Sequence, residues 1–133
     1  MLSLLNAIYA RFTADPSLTG AFPGGMHRDQ APEGTAMPYV VSRIVSAQSE
    51  FAFGGASRTI VQIRFSAFGV GHDATGALAE LLASKFDGVL LTLATRTHDS
   101  LTRHADPAPI LLRHDGQGND VWEWSVVYEY GMI

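Results

Sequence analysis

The chain has no cysteine, which excludes a disulfide framework, a thiolate nucleophile and any Cys-based metal site. It has a single lysine, Lys85, and its eight arginines are spread along the sequence without forming a block. Its formal net charge is −4 and its pI is near 5.6. The clustered cations that general nucleic-acid affinity or a membrane-surface patch draws on are therefore missing. No apolar run approaches the roughly 20 residues of a membrane span. The opening Met-Leu-Ser-Leu-Leu has no basic stretch and is soon interrupted by Asn6, Tyr9 and Arg11, so no signal peptide is expected. These absences leave proteins as the expected partners.

Apolar residues are ample, at 47% of 133. A chain of this length buries about two-thirds of its unfolded surface and needs no metal or disulfide to fold. One domain over residues 1–133 is expected. Leu2, Leu5, Tyr9 and Phe12, with Ile8 beside them, recur at helical spacing, and the helix they predict ends near Ala14-Asp15-Pro16. From Leu18 to Met37 glycine and proline are dense, which predicts an irregular connection with at most a short strand. Pro38 has no N–H and belongs at the first position of a strand.

A strand is predicted from Tyr39 to Ala47, an extended hairpin tip from Gln48 to Ser57, and a half-buried strand from Arg58 to Phe68. Gly69-Val70-Gly71 breaks that strand, and Asp73 or Thr75 is placed to cap a helix carrying Ala74, Ala77, Leu78, Leu81, Leu82 and Phe86 on one stripe. Asp87-Gly88 ends it. Three β-prone runs follow at Val89–Thr97, Pro109–Arg113 and Val121–Tyr130, with turns at Asp106-Pro107 and over residues 115–120. In the last run Trp122, Trp124, Val126, Tyr128 and Tyr130 share one face. The sum is an α+β fold: an antiparallel sheet with two helices packed on one face.

Signals for chemistry are sparse. Gly69-x-Gly71-x-x-Ala74 fits the looser dinucleotide fingerprint, but that motif needs a parallel βαβ unit and a well-placed acid, and Asp99 lies too far on. The histidines (His27, His72, His98, His104 and His114) have no metal-ligand spacing. His27-Arg28-Asp29 echoes a kinase catalytic loop without the rest of that fold, and no Gly-x-Ser-x-Gly elbow exists. No enzymatic activity, cofactor or metal is therefore assigned. The aromatic stripe near the C-terminus lacks interleaved cations and reads as core rather than a base-stacking platform. Phe51 and Phe53 are less ordinary. Two aromatics on alternate positions of a hairpin tip either fold back onto the sheet or dock on a partner.

The ordered set of Leu2-Leu5-Ile8-Tyr9, a Gly/Pro loop, Met37-Pro38-Tyr39-Val40-Val41, Val61-Gln62-Ile63-Arg64-Phe65-Ser66-Ala67-Phe68, Leu78-Leu81-Leu82 and a final alternating strand resembles the tail-completion or tail-terminator family of long-tailed phages. That family also occurs in prophages and gene transfer agents, and the likeness spans nearly the whole chain. The resemblance implies a non-enzymatic virion subunit at the head–tail junction, made in the bacterial cytoplasm. Such a subunit assembles as a ring, commonly a hexamer, on the last ring of the tail tube. There it ends polymerisation and offers a joint to the head. The implied partners are copies of itself, the tail tube protein and a head-completion or neck protein, with DNA passing through unread. Phe51, Phe53 and Arg58 are the candidate contacts with a neighbouring ring. A neck adaptor or minor tail protein of similar fold, and a small nucleotide-binding domain using Gly69-Val70-Gly71, are the alternatives.

Overall fold

The computed structural model describes residues 2–51, 57–89, 91, 101–114 and 119–132. Within them the elements run α1 (Leu2–Ala14), α2 (Pro16–Ala21), β1 (Met26–Arg28), β2 (Tyr39–Phe51), β3 (Ser57–Val70), α3 (His72–Phe86), β4 (Thr102–Arg113) and β5 (Val121–Met132). The five strands form one sheet in the order β1-β2-β3-β5-β4. The α+β class holds. The sheet is mixed rather than antiparallel, because β1 pairs parallel to β2 through Met26↔Val40, His27↔Val41 and Arg28↔Ser42. Three residues carry too little periodicity to announce a strand.

The helices begin where local chemistry allows. Asp15 and Pro16 read as the end of a helix, yet they start a second one. Asp15 Oδ1 accepts the Ser17 N–H at 2.9 Å, and Pro16 occupies the first turn, where its missing donor is not needed. Helix α3 starts differently from the expectation of a cap at Asp73 or Thr75. Gly71 is its N-cap, at φ 89° and without a side-chain cap bond. Its C-terminus is as read: Asp87 caps it and Gly88 turns at φ 66°.

Helix α1 buries Leu4, Ile8 and Phe12, a stripe one position round from the expected one. Tyr9 stays 44% exposed, with its hydroxyl in reach of water and the Arg28 guanidinium 6.0 Å above its ring. These side chains join Leu18 and Phe22 of α2, Ala79, Leu82 and Phe86 of α3, Ile63, Phe65 and Ala67 of β3, and Val126, Tyr128 and Tyr130 of β5 in one buried cluster. Each fully buried aliphatic or aromatic side chain contributes about 1.5–3 kcal/mol. Small residues bring α3 close to the sheet: Gly76 and Ala79 are buried while Ala74 and Ala77 face solvent. A Cβ at Gly76 would stand 2.9 Å from the Trp124 ring.

The hairpin is longer than its sequence suggests. Strands β2 and β3 pair from Tyr39↔Phe68 out to Phe51↔Ser57, with a bulge at Val45 between Ile44 and Ser46. Strand β4 also runs further, from Thr102 through Asp106-Pro107, where a turn was expected. The ladder to β5 absorbs the interruption as irregularities between Arg103 and Ala105 and between Ala105 and Ala108. Of the expected Val89–Thr97 run, residues 90 and 92–97 lie outside the described residues, as do 115–118 of the last turn.

Candidate interaction surface

No group of three or more His, Asp or Glu able to hold a metal occurs among the described residues. The histidines are dispersed. His27 Nε2 donates to the Gly24 carbonyl at 2.8 Å. His72 faces Asp73, His104 faces Glu129 and His114 faces Asp120, while His98 lies outside the described residues. The Gly69–Ala74 turn leads from β3 into a helix, but β3 pairs antiparallel with both β2 and β5. The parallel βαβ unit that gives the dinucleotide fingerprint its meaning is therefore not what this turn serves. No helix among the described residues is long and apolar enough to cross a membrane.

What the fold offers instead is surface of a particular kind. Among the described residues β4 is the last strand of the sheet on one side, and Ile110, Leu111 and Leu112 on it are 54%, 45% and 49% exposed. On the other side, β1 covers β2 only at Val40–Ser42. Beyond that point the Asp29 N–H still reaches the Ser42 carbonyl at 2.9 Å. Residues 44–51 of β2, paired to β3 on one side, then run on with no strand on their outer side among the described residues. Among the described residues the sheet therefore presents two unlike open edges, one on each side, and open edges are places where chains pair.

Of the candidate contacts, Phe51 and Arg58 sit at the far end of the hairpin. Phe51 is the last residue of β2, and Arg58 pairs with Glu50 one step inside β3. Phe53 lies outside the described residues, as do the side chains of Phe51 and Arg58. Among the described residues β5, beside β3, stops short of Phe51 and Arg58, since its Met132 end reaches only Thr59.

Alternation along β2 and β3 sets a second group of residues on the face away from the buried cluster. Tyr39 and Phe68 are register partners whose rings stack at 4.9 Å with an interplanar angle of 16°. Two steps along, Val41 opposes Ser66, and two further Arg43 opposes Arg64. With Asp29, Gln30, Ala31 and Glu123 they line a cavity of about 370 Å³. Sequence reading placed these residues on strands but had no means of setting the two arginines side by side, because register comes from the pairing.

A polar network ties β4, α3 and β5 together. Arg103 of β4 donates to Asp87 through Nε and Nη2, at 3.1 and 2.6 Å, and to Asp106 through Nη1 at 3.1 Å. The Tyr128 hydroxyl lies 2.9 Å from the Ala83 carbonyl and 2.5 Å from Asp87 Oδ1. Burial foremost, then the bond to Asp87, pushes the Tyr128 phenol well above its ordinary pKa.

Residues 6–112 match a protein family described as tail completion protein gp17. The chain belongs to that family. A tail completion protein gp17 chain is a structural component of a phage-type virion. Among solved structures, a chain from the virion of a native gene transfer agent particle superposes with a TM-score of 0.68 at 14% identity, over 94% of this chain and 90% of that one. At that identity the likeness is one of fold. Comparison with the curated proteins gives no match.

Proposed function

We propose that this tail completion protein caps the tail tube as a homo-oligomeric ring, ends tube polymerisation there and forms the joint to the head or neck. The observation that carries the reading, beside family membership, is the pair of unlike open edges: β4 with Ile110–Leu112 on one side and residues 44–51 of β2 on the other. A head-to-tail contact between two different patches closes into a ring when the rotation per subunit allows. Each subunit in such a ring covers a neighbour's open edge. Six subunits are the proposed number. The hairpin end carrying Phe51, Phe53 and Arg58 is the proposed contact with the adjoining ring of tube protein. The acidic chain, with a net charge of −4, does not hold passing DNA.

The test is the solution mass of the purified protein by light scattering over a range of concentrations, with negative-stain images of the same sample and of a mixture with tail tube protein. Rings, formed alone or on addition of tube protein, support the reading. A strict monomer that ignores tube protein overturns it.

A further inference from the structure

We propose that the sheet face carrying Arg43 and Arg64 is a docking site for an acidic peptide segment of a protein partner, whose carboxylate is held between the two guanidinium groups. That the partner is a neighbouring virion protein rests on the proposed function; the carboxylate chemistry does not. The two arginines are direct register partners across β2 and β3, and like charges set opposite each other destabilise a sheet. In a chain with thirteen acidic residues against nine basic ones, a neutralising carboxylate would be easy to supply. None bonds to either arginine among the described residues. Arg43 Nη2 donates at 2.8 Å to the backbone carbonyl of Asp29, which fixes one guanidinium and leaves its other donors uncommitted. Arg64 is half-buried and makes no hydrogen bond or ion pair among the described residues.

The surroundings select the occupant. Both guanidinium groups border the cavity of about 370 Å³, a space suited to side chains rather than to a folded surface. Guanidinium groups are planar forks that match a carboxylate two bonds at a time. The stacked Tyr39 and Phe68 rings add an apolar shelf on the same face, four register steps from the arginines, on which a side chain near the acid can lie. A run of nucleic-acid phosphates suits the site poorly, because Asp29 and Glu123 also border the cavity and no basic track leads away from it among the described residues. A single carboxylate seated between the two arginines needs no such track, and the two acids of the lining oppose one added charge less than a run of them.

The experiment is an NMR titration of the full-length protein with a short peptide of alternating glutamate and leucine, with its glutamine counterpart, and with a short DNA duplex. Saturable shifts at Tyr39, Phe68 and the Arg64 Nε–H with the glutamate peptide alone are expected. Arg64→Gln and, separately, the more exposed Arg43→Gln should each weaken binding by about tenfold, the scale of one charge-assisted bond. Absence of saturable shifts, equal binding of the glutamine peptide, or tighter binding of the duplex at the same residues would overturn the proposal. Peptide binding by a protein that never forms rings would uphold this site while sinking the ring; rings without peptide binding would do the reverse.

Discussion

Arg103 grips Asp87 with two parallel bonds, Nη2 to Oδ2 at 2.6 Å and Nε to Oδ1 at 3.1 Å, and so fastens β4 to the C-cap of α3. Burial alone would raise the Asp87 pKa, but the hydrogen bonds from Arg103 and Tyr128 and the charge of Arg103 outweigh it and hold the carboxyl below the usual range. A folded-state pKa below the unfolded one contributes stability above about pH 4, lost as pH falls through the lower folded value. Asp87→Asn should cost about 1 kcal/mol at neutral pH, the low end for bonds to charged groups because the pair is partly exposed. Thermal melts of wild type and variant should differ at pH 7 and converge toward pH 3.

Tyr128 gives the opposite sign. Its phenol is buried and bonded to Asp87, both of which favour the protonated form and raise its pKa. A raised folded value contributes stability that is fully present below about pH 10 and lost as pH rises further. Ultraviolet titration of the folded proteins should find one fewer tyrosine that resists ionisation beyond pH ~10 in Tyr128→Phe than in wild type. That variant should lose about 1 kcal/mol at neutral pH, since Ala83 O still accepts the Asp87 N–H at 2.9 Å and Arg103 still holds the carboxylate.

How much of this was legible depends on how strongly each element is patterned. Strands β3 and β5 are half-buried with clear alternation, and their residues separate by face as the sequence reads. Helix α3 was placed to within two residues at its end, because Asp87-Gly88 is a cap whichever way the helix packs. The misses have specific causes. Asp15-Pro16 suits both a stop and a start. Strand β4 is exposed on both faces for most of its length, so it has no alternation to read, and Asp106-Pro107 looks like a turn until β5 is laid beside it. Arg43 and Arg64 lie 21 positions apart in sequence, and only register makes them neighbours.

Two glycines in helices should respond in opposite directions to the same substitution. At Gly20 of α2 a Cβ would meet nothing within 4 Å, so Gly20→Ala should stabilise by about 0.5–1 kcal/mol through helix propensity and a less free unfolded chain. At Gly76 of α3 the new methyl would meet three atoms of the Trp124 ring at 2.9, 3.1 and 3.2 Å. The overpacking penalty of about 1–3 kcal/mol exceeds the propensity gain, and Gly76→Ala should destabilise. Chemical denaturation midpoints at constant m-value check both.

Strand β4 is defended unequally along its length, and this asymmetry bears on the proposed subunit contact. Its stretch up to Pro109 carries Pro107 and Pro109 with irregular pairing on either side of Ala105, devices that discourage a further strand from adding there. Its last residues, Ile110, Leu111 and Leu112, are apolar and about half exposed, with no lysine or proline among them. Natural edges left in this state are covered by something. Replacing Ile110 and Leu112 together by lysine should alter the stability of the isolated subunit by no more than about 0.5 kcal/mol per site, as surface changes do. The same double variant should abolish the ring mass in light scattering, whereas lysine at the exposed Thr102, the far end of the same strand, should leave that mass unchanged. If both variants assemble like wild type, the β4 edge is not the subunit contact.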